Sequence, residues 1–329
     1  MVGGRDGLVR AVLLFAALFV LWYVRHVVLL ILGAVVLAVA IVTIVRVVSD
    51  MTGLSHRLSY VLVLLLVFSS VALTAIFAGP SLVEQARGFV GDLPELLESV
   101  EGMLANGGII LPQVQELSFD EILDRVPSAL TWIGGVFGAV STIFIVFVLS
   151  WFFAFAPEQY VRSFSTLFPN PARAESATMK SLDDLGSWIV GQLLSMVIIG
   201  TLVGVGLWLL GVPYAALFGF IAGLFEFVPF FGPIVGFIPA GIVALSISTT
   251  LFAWVLVFYV IVQFVEGNLV TPLIHRQTVR VQPAYQLVAI LTGAALFGPL
   301  GVMFAVPGFL IVRAVMREIR SPQGSPSPG

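Results

Sequence analysis

Apolar runs recur along the whole chain, at 8–24, 27–48, 58–79, 129–156, 188–210, 217–245, 251–265 and 284–312, parted by short polar links. A helix of about 20 such residues spans the ~30 Å hydrocarbon layer of a bilayer. Two longer polar inserts interrupt the series. In the first, at 80–128, Leu82, Ala86, Phe89 and Leu93, then Leu96, Val100, Met103 and Leu104, recur at helical spacing among nine carboxylates. Asp92 is placed to cap a helix with Pro94 in its first turn, and "SFDE" at Ser118–Glu121 reads as a capping box. The apolar stripe of this insert packs on itself or the bundle, or else between subunits. In the second insert, at 157–187, Val161, Phe164, Leu167 and Phe168 form one amphipathic helix stopped by "PNP" at 169–171. Asn170 and Pro171 then open a new helix, predicted to run as one rod through the 188–210 run until Gly211 and Pro213 end it.

Composition narrows the class. Only 10% of the 329 residues are charged and 59% are hydrophobic, whereas a soluble domain is about 25% charged. The fold class is an all-α polytopic membrane protein, since a membrane β-barrel would show alternating strands of about 10 residues instead. Cysteine is absent, which removes disulfides, thiolate zinc sites and Cys nucleophiles. The expected layout is three membrane helices in 1–79, an extracytoplasmic acidic insert at 80–128, a membrane helix at 129–156, a cytoplasmic insert at 157–187, a core at 188–312 and a disordered tail at 313–329. A cleaved leader is the competing reading of 8–24, but no small-x-small cleavage site follows it. The Arg and Lys clusters of the short loops all fall on the cytoplasmic side, with both termini inside, if 286–312 is a hairpin that enters and returns; Arg25, on the outer side of a very short turn, is the outlier.

The least ordinary stretch is "LFGFIAGLFEFVPFFGPIVGFIPAGIVAL" at 217–245, which places Pro229, Pro233, Pro239 and the carboxylate of Glu226 inside apolar sequence. Broken helices persist at membrane depth only where protein or a wet cavity covers them, and paired breaks are the usual pointer to a transporter site. Here Phe-Gly-Pro occurs twice, with Gly232 and Pro233 and again with Gly298 and Pro299, followed by Gly301. Two apolar hairpins sharing a turn chemistry, or a true structural repeat, would each produce this. A carboxylate near the bilayer middle costs roughly 2.5–3.5 kcal/mol on insertion scales, and no Lys or Arg lies between Lys180 and Arg276 to offset it. Glu226 is therefore protonated, faces a wet cavity, or holds the turn by a hydrogen bond.

"GVPYAALFGFIAGLFEFVPFFGPIVGFIP", then "VEGNLVTPLIHRQTVRVQPAYQLVAILTGAALFGPLGVMFAVP", resembles the signature half of the autoinducer-2 exporter family. The points of likeness are the Pro-aromatic-x-Gly-Pro turn, the Glu-x-Asn-x3-Pro element at Glu266, Asn268 and Pro272, and the Phe-Gly-x-x-Gly turn with its downstream Pro. At Glu226 the chain departs from the family pattern, where Asn is commoner. The resemblance implies about eight membrane helices, a symmetric homo-oligomer with a pentamer as one form, and export of a small solute or sodium/proton exchange.

No nucleotide-binding loop, HExxH or GxSxG is present, and His26, His56 and His275 are scattered, so no enzyme constellation, cofactor or metal site is expected. A net charge of −3 gives no reason to expect a nucleic-acid partner. The expected partners are membrane lipids and a small solute or monovalent cation. Glu226, Glu266, Gln263 and Asn268 are the candidate coupling residues, because a passive channel or scaffold, the alternative reading, needs no polar group at depth. Gln192 is read as a hydrogen-bonded packing residue. The expected function is a secondary transporter in the cytoplasmic membrane.

Overall fold

A computed structural model describes residues 23–106, 142, 144–229, 231–274 and 282–320. Every regular element among them is helical. They divide into two compact units, one of residues 1–41, 139–185 and 281–329, the other of residues 42–138 and 186–280. Helix α1 spans Arg25–Thr52. Helices α2 (His56–Leu73) and α3 (Gly79–Asn106) join through a wide turn at Thr74–Ala78 into a continuous rod. Then come α4 (Phe144–Phe155), α5 (Pro157–Ser165), α6 (Pro171–Leu209), α7 (Ala215–Phe225), α8 (Phe231–Ile247), α9 (Thr249–Val265), a second wide turn at Glu266–Val270, and α10 (Thr271–Ile274). Helices α11 (Pro283–Met303) and α12 (Ala305–Arg320) close the described chain.

Five of these helical stretches are long and apolar enough to cross a membrane: Arg25–Thr52, Arg57–Met103, Pro171–Leu209, Thr249–Ile274 and Ala284–Met303. The bent pair α4 and α5, at 87°, makes a sixth if counted as one span, and α7 and α8 are shorter apolar helices. Most of the first apolar run, the capping box at Ser118–Glu121, half of the 129–156 run, and the tail from 321 lie outside the described residues. The surface carries large apolar side chains such as Leu65, Phe77, Trp208 and Phe264, as expected of a protein solvated by lipid.

Two sequence expectations hold closely in α6. Asn170 Oδ1 accepts the Arg173 N–H at 3.3 Å, and the rod runs unbroken for 39 residues. At its end Gly211 adopts φ +75°. The Val212 N–H returns to Leu207 O, and the Gly211 N–H to Trp208 O, both at 3.0 Å. This double closure is the Schellman stop, which needs a left-handed residue and so favours glycine.

The first insert behaves differently from its reading. Asp92 is not a cap, because α3 runs straight through it and carries Pro94 in its interior. The 47 residues of Arg57–Met103 make a rod of about 70 Å at 1.5 Å per residue, over twice the ~30 Å apolar layer. The Asp92 carboxylate instead accepts a short hydrogen bond from the Tyr214 hydroxyl. Ala86, Phe89 and Leu96 pack on the hydrophobic core of the second unit, and Phe89 meets Tyr214 and Phe218 edge-on at 5.9 and 5.4 Å. In this part of the insert the stripe serves the bundle. Gln85 Oε1 also accepts the Leu217 N–H at 3.1 Å, capping α7, whose own N-cap Tyr214 supplies no side-chain bond.

Helices α6 and α7 cross with their backbones in contact. A methyl group at Gly219 would sit 2.5 Å from Gly204 Cα, and one at Gly223 would sit 3.0 Å from Gly200 Cα. Two small-xxx-small pairs, Gly200/Gly204 and Gly219/Gly223, thus interlock antiparallel, the close packing that membrane helices use in place of a hydrophobic drive. Phe218, Ile199, Val203 and Leu207 fill the core beside them.

Each unit contains one apolar hairpin. In the second unit α7 and α8 pack along each other across the turn at 226–231. In the first, α11 breaks at Gly298 (φ 65°, ψ −148°) and the chain folds back. A methyl group at Gly293 would lie 2.8 Å from the Gly301 carbonyl carbon and 3.4 Å from Ala305 Cβ. Tyr285 stacks on Phe309 at 5.9 Å. The chain across 286–312 therefore folds back on itself as a helical hairpin.

Candidate functional site

The site grows from the end of α7. Glu226 is its C-cap residue, with its N–H on Ala222 O at 3.0 Å. The next bonds tighten, with Val228 N–H on Phe225 O at 3.1 Å and Phe231 N–H on Val228 O at 3.1 Å, and Pro229 has no N–H to continue the ladder. Gln192, buried on α6, donates through Nε2 to the Glu226 carbonyl oxygen. That makes it the hydrogen-bonded packing residue expected from sequence, and it ties α6 to the turn. Trp188 meets Phe227 edge-on at 6.0 Å.

The prolines do not all break helices. Only Pro229 lies in the turn; Pro233 is buried in the first turn of α8, and Pro239 lies inside α8. Reading Pro239 as a break needs correction. An interior proline removes one hydrogen bond, and membrane helices tolerate this because neighbours re-satisfy the freed groups. Gly232 also differs from its reading as a turn residue. It is helical, and its role is close approach: a Cβ there would fall on Glu226 Oε2 and within 2.5 Å of Ala222 O.

Glu266 comes from the far end of α9, where it opens the wide turn Glu266–Val270. Such turns insert a residue into the helical register and concentrate at functional sites. Glu266 is 5% exposed and Glu226 2%. The two carboxyl groups lie within hydrogen-bonding reach of each other. Each keeps one oxygen, Oε2, buried without a hydrogen-bond partner. The other candidates separate from the pair. Asn268 is exposed, and its Nδ2 donates to Phe264 O at 2.9 Å, one turn back in its own helix. Gln263 is half-buried on α9 and Pro272 is exposed on α10. Pro299 and Gly301 follow the break at Gly298 in α11, in the other unit.

The sequence reading passed over Tyr259. It is 4% exposed, and its hydroxyl is buried without a partner. The available signal was a phenol in an aliphatic run, seven residues before Glu266 and so on the same helix face. Among the described residues no group of three or more metal-ligating side chains occurs.

The family model described as AI-2E family transporter matches residues 11–321, nearly the whole chain. The chain belongs to the AI-2E family of transporters. It is 28% identical over 279 residues to the putative transport protein YrrI of Bacillus subtilis, covering 80% of this chain and 78% of the relative. It is 27% identical over 288 residues to the putative transport protein YueF of the same organism, covering 80% and 77%. It is 22% identical over 270 residues to the AI-2 transport protein TqsA of Escherichia coli, covering 78% and 76%. The chain is thus a multi-pass membrane transporter and not an enzyme. For an AI-2E transporter, a buried carboxyl pair at a helix break is a site that can hold a positive charge. Two carboxylates side by side in a low-dielectric interior repel when both are ionised, and a proton or a cation between them relieves the repulsion.

Proposed function

We propose that this transporter is a secondary one, moving a small solute or exchanging cations, with coupling to a proton or sodium ion through Glu226 and Glu266. The observation that carries the reading is the meeting of these two buried carboxyl groups, delivered by different helices, in a stretch of chain without Lys or Arg between Lys180 and Arg276. A passive pore or a scaffold gains nothing from two buried acids, which cost stability wherever they stay unpaired. The α7–α8 and α11–α12 hairpins are the elements proposed to rearrange, because paired apolar hairpins with Gly/Pro turns are the usual moving parts of such transporters. The name of TqsA makes autoinducer-2 one solute to include in a substrate panel.

The same reading places both termini and the 157–187 insert in the cytoplasm, 80–128 outside, and 286–312 as a re-entrant hairpin within a total of about eight membrane helices. It also makes the assembly a symmetric homo-oligomer, a pentamer being one closed form. The test of coupling is flux into proteoliposomes under an imposed pH or sodium gradient, for wild type and Glu226→Gln. The variant keeps shape and hydrogen bonding but cannot titrate. Gradient-driven flux should be lost while expression and assembly stay normal. Wild-type flux with a wild-type pH profile would remove Glu226 from the mechanism.

A further inference from the structure

Tyr259 carries a buried hydroxyl without a hydrogen-bond partner, and the Oε2 atoms of Glu226 and Glu266 are buried and unpartnered as well. Its ring is fixed edge-on against Phe237 at 5.2 Å and Phe258 at 5.7 Å. The hydroxyl lies 3.2 Å from where a Cβ on Gly236 would stand. Gly232, one turn earlier on the same face of α8, lies directly against Glu226 Oε2. The phenol and the carboxyl group therefore share the slot that these two glycines leave open, and Ala222 contacts both ends of it. Glu266 stands two turns beyond Tyr259 on α9. A buried hydroxyl with no partner costs stability, and phenylalanine would fill the same space without that cost.

We infer that Tyr259 is a positioning residue for the carboxyl pair: its hydroxyl donates to the pair in the state where the pair has released its positive charge. This rests on the coupling role proposed for Glu226 and Glu266. When the shared proton leaves, both carboxyl groups are anionic, and an O–H···O⁻ bond from the phenol stabilises the ionised form. No covalent bond changes, and the phenol keeps its own proton. Few other groups compete for this role. Helices α7 and α8 and the 186–209 part of α6 carry no ionisable side chain, and α9 carries Tyr259 alone. On α3, which also packs on α8, the ionisable groups are Glu84, Arg87, Asp92, Glu95, Glu98 and Glu101, and its hydrogen bonds to this unit, from Asp92 and Gln85, reach Tyr214 and Leu217 at the opposite end of the hairpin.

The test is Tyr259→Phe, which removes one oxygen atom. The variant should have a thermal midpoint equal to or above wild type, because the lost hydroxyl is unpartnered in this structure. Its gradient-driven flux should shift toward alkaline pH by roughly one unit, a tenfold change in the proton equilibrium. A wild-type pH profile would overturn the inference whatever the thermal midpoint. A lower thermal midpoint would also overturn it, because the hydroxyl would then already be engaged in the resting structure. Glu226→Gln run alongside separates the two levels. If Glu226→Gln loses coupling and Tyr259→Phe transports as wild type, only the role of Tyr259 falls. If Glu226→Gln also transports as wild type, the coupling site falls with it.

Discussion

The two apolar hairpins begin from the same tripeptide and use it differently. In the α11–α12 hairpin Phe297-Gly298-Pro299 is the break itself, with Gly298 at φ 65°. In the α7–α8 hairpin Phe231-Gly232-Pro233 opens the returning helix, and the reversal comes before it, from Glu226 to Pro229 among the described residues. The first use needs glycine for its backbone freedom. The second needs glycine for its missing Cβ, because the Glu226 carboxylate and the Ala222 carbonyl occupy that space. The two tripeptides are alike in sequence and differ in what they do: one is a turn, the other the start of a helix. Only the α7–α8 hairpin carries an acid at its turn.

The largest expected effect tests that difference. Glu226→Gln should lower gradient-driven flux at least tenfold, roughly 1.4 kcal/mol in the coupled step, whereas Leu296→Gln near the other turn should leave coupling intact, as measured by flux against external pH. Next, Gly219→Val should overpack the α6–α7 crossing, where even a methyl group meets Gly204. The cost should be at least about 1–3 kcal/mol, read as a lower thermal midpoint in detergent with loss of the folded fraction. Gly298→Ala should cost about 1–3 kcal/mol by forcing a side chain into a glycine-only conformation, and its thermal loss should not depend on the identity of residue 226. Tyr214→Phe should cost about 1 kcal/mol by removing the bond to Asp92. The hydrogen bond to Asp92 raises the Tyr214 phenol above its ordinary value. Its contribution is therefore full below the ordinary phenol range and lost as pH rises through the raised value, so wild type and Tyr214→Phe should converge only in strong alkali.

A last prediction leaves stability untouched and sharpens the placement of the two hairpins. The chain has no cysteine. A single cysteine at Ser99 should react with an impermeant thiol reagent from outside, and one at Thr178 or Ser321 should not. Labelling of Ser321 from outside would turn the α11–α12 hairpin from a re-entrant element into a crossing.

Much of the fold was legible because membrane helices leave periodic, one-dimensional traces. The α6 rod, its Asn170 cap and its Gly211 stop each depend on residues within a turn or two of one another, so local chemistry decides them. The hairpin at 286–312 was legible for the same reason, since Gly298-Pro299 cannot continue a helix. Asp92 and Pro94 misled because a local rule for helix starts was overridden by packing. The stripe of α3 lies on the core, and Tyr214, distant in sequence, claims the Asp92 side chain. Pro239 misled because apolar surroundings and neighbouring helices let a proline sit inside a helix.

The sequence by itself determined the class of this protein, its long helices, where they stop, and two isolated acids in apolar surroundings. Composition and short-range periodicity carry that information, because burying apolar side chains in lipid and satisfying backbone groups within a helix are both local requirements. Only the tertiary structure decided that Glu226 and Glu266 meet, that Asn268 serves its own turn, and that Tyr259 shares the slot at Gly232 and Gly236. Those facts depend on how α7, α8 and α9 pack, with Gly232 and Gly236 of α8 set close against Ala222 of α7 and Gly236 against the Tyr259 hydroxyl. Contact between helices at that range is a property of three-dimensional packing, which no single helix encodes.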